Sequence, residues 1–261
     1  MLGKDKMIDT TKFYVILVDA LADGRSSSPS NTSPEARVAF EQLTIADMVE
    51  AEHRFVVEQL DLPRLHAVVG ISMGGMQAFE WAVRYPDFLD AAVPIMGSPR
   101  IAPVDGLLGT MGVRIEVDDR PWGVPDDALR GVMQRMVALF LRTPIAVDSQ
   151  PRAVAVNVIR DGLALLGGRS VDDDVTQLGA ALRYNVAAPY GNDMTRAAAR
   201  VRARMLIIYS WDDPLVTAGP AAAFARLVHA DTLSVTSACG HAAPVCESAV
   251  VDPAVRKFLA R

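Results

Sequence analysis

Residues 66–86, HAVVGISMGGMQAFEWAVRYP, constrain the fold more than any other stretch of the chain. An apolar run (Ala67, Val68, Val69) ends in Gly70-Ile71-Ser72-Met73-Gly74, and a helical pattern begins at once. A serine between two glycines, where a strand turns straight into a helix, is the setting of a nucleophile elbow. The turn is expected to be too tight for side chains beside the serine, which puts Gly70 and Gly74 where bulk would clash. Ser72 then stands exposed above a sheet, at a helix N-terminus that favours developing negative charge. The plainer alternative is an ordinary turn whose serine caps the helix. The apolar strand before it and the amphipathic helix after it favour the elbow.

The rest of the chain supplies the sheet that such a turn needs. Residues 13–20, FYVILVDA, are almost continuously apolar and predict a strand buried on both faces. Further strands are predicted over 91–96, 205–209 and 232–235. Helical patterns run from Thr44 or Asp47 to about residue 60, from Gly74 to Tyr85, and over 193–204, 219–229 and 253–260. Strands alternating with helices imply right-handed βαβ units and a parallel sheet. Over 100–193 the rhythm changes to helical patterns at 125–141, 154–166 and 175–184. The expected division is therefore a core of 1–99 and 194–261, with 100–193 inserted as a helical cap that excludes water and shapes a pocket. Met133, Met136, Leu139 and Leu141 read as helix-packing residues, and Trp122 as a candidate wall of the substrate pocket. The arginines at 196, 200, 202 and 204 read as a solvated helix face.

Composition excludes several functions. The net charge of −5 argues against a nucleic-acid partner. No apolar run approaches the length of a membrane span, and the first residues, MLGKDKMIDTTKF, lack a signal peptide's apolar region. No membrane role and a cytoplasmic location are the expectations. No metal-ligand spacing and no phosphate-binding loop occur, so neither metal nor cofactor is expected. The serine standing for the second glycine rules out a dinucleotide fingerprint at the elbow. Cys239 and Cys246 form neither a disulfide framework nor a ligand set, and read as small, partly buried hydrophobes.

A serine hydroxyl is a weak nucleophile and needs an adjacent base. In elbow enzymes the partners follow in the order serine, acid, histidine. After Ser72 only His229 and His241 remain. His229 falls in a predicted helix, whereas His241 follows a strand in the loop Ala238-Cys239-Gly240-His241-Ala242. Position and order favour His241 as base. The acid is expected in Ser210-Trp211-Asp212-Asp213-Pro214-Leu215-Val216. Asp213 is preferred, with Asp212 as the alternative, and its role would be to orient the imidazole and stabilise its charged form.

These residues resemble the α/β-hydrolase superfamily, and within it the homoserine O-acetyltransferase-like branch. The resemblance rests on Gly3-Lys4 and Ile8-Asp9-Thr10, on Leu43-Thr44-Ile45 with Asp47-Met48-Val49, and above all on the run from Ser72 to Ala82 with Tyr85-Pro86. It implies an α/β fold, a mainly parallel sheet flanked by helices, and a helical lid. It also implies Ser72 as nucleophile, Asp213 as acid and His241 as base. Three departures stand out. Ala242 occupies the place where the acetyltransferases typically carry an aspartate. The stretch 100–200 lacks their Arg-Phe run. The first strands of the usual fold are also missing, and with them the loop that gives one of two oxyanion-hole N–H groups. The other donor would be Met73, and residues 20–24 are one place where a remodelled loop could replace the first. Losing one donor costs roughly 100- to 1,000-fold in rate.

The expected function is that of a serine esterase working on a small-molecule acyl ester through an acyl-enzyme. The alternatives are an O-acyltransferase using acetyl-CoA and a weakly active or non-catalytic binding protein. The strand expected at residue 13 would leave an open sheet edge, with a homodimer partner as its expected cover.

Overall fold

The computed structural model describes residues 1–118, 123–151 and 170–261. Four strands, β1 (Leu65–Ile71), β2 (Leu89–Ile95), β3 (Arg204–Tyr209) and β4 (Asp231–Ser234), pair in that order and all run parallel. Ile71 lies opposite Ile95, and Ile95 opposite Ile208, so the first three strands end level with one another. Parallel neighbours need long crossovers. Helix α1 (Ile45–Arg54) precedes β1, α2 (Met73–Arg84) follows it, and α3 (Pro103–Asp118), α4 (Asp126–Phe140) and α5 (Val171–Leu182) lie between β2 and β3. Helix α6 (Ala218–Leu227) joins β3 to β4, and α7 (Ala243–Cys246) and α8 (Ser248–Leu259) close the chain.

The strand β3 shows why the middle of the sheet is buried on both sides. Met205 and Ile207 enter one apolar cluster, and Leu206 and Ile208 the other. That is the two-residue period of a strand, with both faces apolar. On the first face Phe79 of α2 meets Phe224 of α6 edge-on, with ring centroids 5.3 Å apart. On the second, Val251, Val255 and Phe258 of α8 cover the strands together with Met7. The start of α1 is fixed by a capping box. Asp47 N donates to Thr44 Oγ1, and Thr44 N donates to Asp47 Oδ2.

Residues 13–20 do not form the strand expected of them. The segment joins no ladder, and Tyr14 and Leu17 are 86% and 76% exposed. Its Phe13 ring stacks on His66 at 5.2 Å, yet a cavity of about 340 Å³ lies between the segment and β1, lined by Val15, Leu17, Val68 and Gly70 among others. Strand pairing needs a neighbour at roughly 4.8 Å. The apolar pattern is that of a strand, but the partner is not beside it, and among the described residues the outer edge of β1 is left unpaired. Two helix bounds also differ. The arginine-bearing helix covers only Met194–Ala198, because Arg204 is drawn into β3 by the apolar run that follows it. The last helix begins at Ser248 rather than Pro253, which sits inside it. The helical pattern at 154–166 lies outside the described residues.

Two carboxyl groups sit beside α2, Glu80 buried and Glu52 half-buried. Glu52 accepts from Trp81 Nε1 at 2.8 Å, and Glu80 lies 3.8 Å from Arg84. Burial pushes each up to about 7. The folded chain therefore holds protons that the unfolded chain releases between about pH 4.5 and 7, so stability from these groups falls as pH rises through that window. Glu80→Gln is expected to flatten this decline, by up to about 3 kcal/mol. Urea melts of both proteins at about pH 5 and pH 7.5 check it. Parallel slopes would show that Glu80 is ionised in the folded state.

Candidate active site

The backbone at Ser72 is held at φ 58° and ψ −117°, a conformation that non-glycine residues rarely adopt. Ser72 N donates to Ile95 O at 2.9 Å, which fastens the turn to the end of β2. A Cβ on Gly70 would lie 2.0 Å from Gly74 O, so only glycine fits there. Gly74 differs from expectation. A Cβ there would meet nothing closer than Gln77 Oε1 at 4.0 Å, so Gly74 matters as the backbone that Gly70 must clear. A second close approach was not legible in the sequence. Gly75 and Gly97 face each other so tightly that a Cβ on Gly75 would lie 2.9 Å from Gly97 Cα.

Ser72 Oγ lies 2.8 Å from His241 Nε2, and His241 Nδ1 lies 2.7 Å from Asp213 Oδ2. With Nδ1–H donating to the carboxylate, Nε2 is left as the acceptor of the serine proton. The other oxygen of Asp213 accepts from Leu215 N at 2.8 Å and Val216 N at 3.0 Å, so the carboxylate is held at both ends. The His241 and Asp213 side chains are only 7% and 1% exposed. Asp212, in contrast, is exposed and accepts from Ser237 N at 3.3 Å. All three expected residues thus come together, at the C-terminal ends of parallel strands, where ligands of open α/β sheets bind.

The His241 loop is built tightly. Gly240 has φ 57°, and a Cβ there would lie 2.9 Å from Pro214 Cδ. Cys239 and Cys246 are joined in a disulfide, which corrects their reading as unlinked hydrophobes. Their separation of seven residues is bridged because a 3₁₀ turn over Gly240–Ala242 and the short helix α7 fold the chain back on itself. Ser237 Oγ donates to Glu247 Oε1 at 2.9 Å just outside the bridge.

Met73 opens α2, where the first N–H groups have no acceptor within the helix. In the loop proposed as the second donor, Ala22 N is taken by Ser27 O and Gly24 N by Ser28 Oγ. Those two N–H groups are therefore committed within the loop itself.

The segment from 100 to 193 reaches the site at two points that the sequence did not signal. Asp105 of α3 accepts from Thr217 N at 3.1 Å and from Thr217 Oγ1 at 3.2 Å. Thr143 Oγ1 donates to Ala238 O at 2.7 Å, beside the His241 loop. Burial, with Asp213 nearby, raises Asp105 above the usual carboxylate range. Met133 is buried against Gly112, whereas Leu139 is about half exposed. Trp122 lies outside the described residues. Among the described residues no cluster of three histidine, cysteine or acidic side chains could hold a metal, and no helix is long and apolar enough to cross a membrane.

A parallel sheet with a strained serine turn at its first strand, and partners carried on the loops after its third and fourth, defines an α/β protein of the elbow-bearing class. The chain belongs to the α/β-hydrolase fold family, which it matches over residues 6–245. It is 41% identical to an ethyl acetate hydrolase of Pseudomonas veronii over 100 residues, 38% of this chain and 29% of that protein. A homoserine O-acetyltransferase of Corynebacterium jeikeium (strain K411) is 32% identical over 163 residues, 58% of this chain and 41% of that protein. The chain thus spans less than half the length of these curated relatives. Among solved structures, the acetyl esterase MekB aligns with a TM-score of 0.90 at 23% identity, covering 100% of this chain and 81% of that one. A homoserine O-acetyltransferase from Bacillus anthracis aligns at 0.86 and 19% identity, covering 98% and 78%. At these identities the structural likeness shows the fold.

Proposed function

We propose that this chain is a serine esterase that hydrolyses small acyl esters, with Ser72 as nucleophile, His241 as general base and acid, and Asp213 as the orienting carboxylate. The observation that carries this reading is the continuous chain Ser72 Oγ, His241, Asp213, at 2.8 and 2.7 Å. Ser72 Oγ attacks the ester carbonyl while its proton passes to His241 Nε2. The carbonyl oxygen becomes an oxyanion, with Met73 N–H as its proposed donor. Collapse expels the alcohol, which takes the proton from His241, and leaves an acyl-serine. Water, deprotonated by His241, attacks the acyl carbon in turn, and collapse of the second oxyanion returns Ser72 and releases the acid. No metal or cofactor enters these steps. The ethyl acetate hydrolase and acetyltransferase relatives support acetyl as the acyl group.

Transfer to an alcohol is the second reading, favoured by the homoserine O-acetyltransferase relatives. It uses the same acyl-serine and differs only in what intercepts it. Release of free CoA from acetyl-CoA, measured with and without homoserine, separates the two. Hydrolysis of ethyl acetate, with CoA release unaffected by homoserine, is the expected result. CoA release that rises with homoserine concentration would make the chain a transferase.

A further inference from the structure

We propose that the Cys239–Cys246 disulfide positions His241, and that the reactivity of Ser72 therefore follows the thiol–disulfide state of that bond. This rests on the reading of Ser72 and His241 just given. His241 lies inside the loop that the bridge closes, two residues from Cys239 and five from Cys246. The loop carries little regular structure. It consists of the 3₁₀ turn over Gly240–Ala242 and the single turn of α7. The backbone bonds that brace it include Gly240 N to Ser237 O at 3.2 Å, Ala242 N to Cys239 O at 3.1 Å, Ala242 N to Leu141 O at 3.3 Å and Glu247 N to Ala243 O at 2.8 Å, all of them short-range turns except the one to Leu141. Ser237–Glu247 is the one side-chain clasp across its base among the described residues. A bridge at this place removes loop conformations in which the imidazole swings away from Ser72, an entropic restraint on a short closed loop.

The bridge is also open to exchange. Cys246 is exposed and Cys239 half-buried, so a small thiol reaches the sulfurs without unfolding. A dithiol reductant supplies the two electrons. Its first thiolate attacks Cys246 Sγ, the Sγ–Sγ bond breaks, and Cys239 leaves as a thiolate that takes a proton. The reductant's second thiolate then attacks the mixed disulfide, frees Cys246 as a thiol, and departs as a cyclic disulfide.

The test compares the protein as isolated with the same protein after dithiothreitol and after reoxidation with diamide. Four readouts are taken: thiols by Ellman's reagent, kcat and KM on p-nitrophenyl acetate, far-UV circular dichroism, and the proton resonance of His241 Nδ1–H. Reduction is expected to expose both thiols and lower kcat roughly 10- to 100-fold, the scale of a misplacement of about 1 Å. KM and the dichroism stay unchanged, and the Nδ1–H resonance broadens as its bond to Asp213 loosens. Reoxidation restores all of these. Cys239→Ser/Cys246→Ser is expected to sit at the low kcat and ignore dithiothreitol. Exposed thiols with an unchanged kcat and a sharp resonance would overturn the inference, as would a loss of kcat that merely tracks loss of dichroism. If neither form turns over ester, yet the resonance still responds to reduction, the esterase reading fails and the positioning role stands.

Discussion

Ser72→Ala is expected to lose between roughly 10⁴ and 10⁶ of kcat on acetyl esters, the range seen when a serine nucleophile is removed. Nothing else in the site can replace the hydroxyl. Its Oγ is within hydrogen-bond reach of His241 and caps no helix N–H, so its removal costs the fold little. The backbone strain is also unchanged, since alanine at φ 58° is no easier than serine. The variant should therefore melt within about 1 kcal/mol of the parent. A fluorophosphonate probe, which reacts with activated serines, labels the parent and leaves the variant unlabelled. Labelling that persists in folded Ser72→Ala would move the nucleophile elsewhere. A folded parent that resists the probe would remove the esterase reading altogether.

Asp213→Asn should come next, with a loss of roughly 10⁴ in kcat. The reason is tautomeric. Asp213 Oδ1 accepts from Leu215 N and Val216 N, and an asparagine satisfies those donors by turning its carbonyl oxygen to them. Its NH₂ then faces His241 Nδ1, which must become an acceptor. The ring proton moves to Nε2 and points at Ser72, where it cannot take the serine's proton. The neighbouring Asp212→Asn keeps an amide oxygen to accept from Ser237 N, a bond of 3.3 Å on an exposed residue, and kcat is expected to hold within about threefold. Steady-state kinetics on the two variants decide between the adjacent carboxylates. The opposite ranking would assign the acid to Asp212.

How far such a site can be read in a sequence depends on what each signal reports. Gly70-x-Ser72-x-Gly74 reports a local backbone constraint. It is legible because a Cβ at Gly70 has nowhere to go, whatever the rest of the chain does. The cap of α1 is local in the same way, though the sequence left Thr44 and Asp47 as alternatives where the structure pairs them in one capping box. The stretch 13–20 reports only its own apolar pattern. Whether it becomes a strand depends on a neighbour that the pattern cannot supply, and here a cavity stands in that place. Arg204 continued a run of arginines and read as helix, until the apolar residues after it drew it into β3. The Cys239–Cys246 bridge needs two turns within eight residues, and neither turn had a strong signature of its own. Asp105 and Thr143 were invisible for another reason. Their partners, Thr217 and Ala238, lie 112 and 95 residues away.

The span between Ser72 and His241 carries a consequence for how the chain reaches its native state. The two residues are 169 positions apart, and their bond is made only after β1 to β4 have aligned in register. Closing so long a loop costs entropy that local helices do not repay. Contacts of this range form slowly, behind the turns and caps that assemble from neighbouring residues. The hydroxyl of Ser72 thus acquires its partner late. During synthesis or refolding the elbow can be shaped while the serine is still inert, and nucleophilic competence marks the moment when the topology is complete.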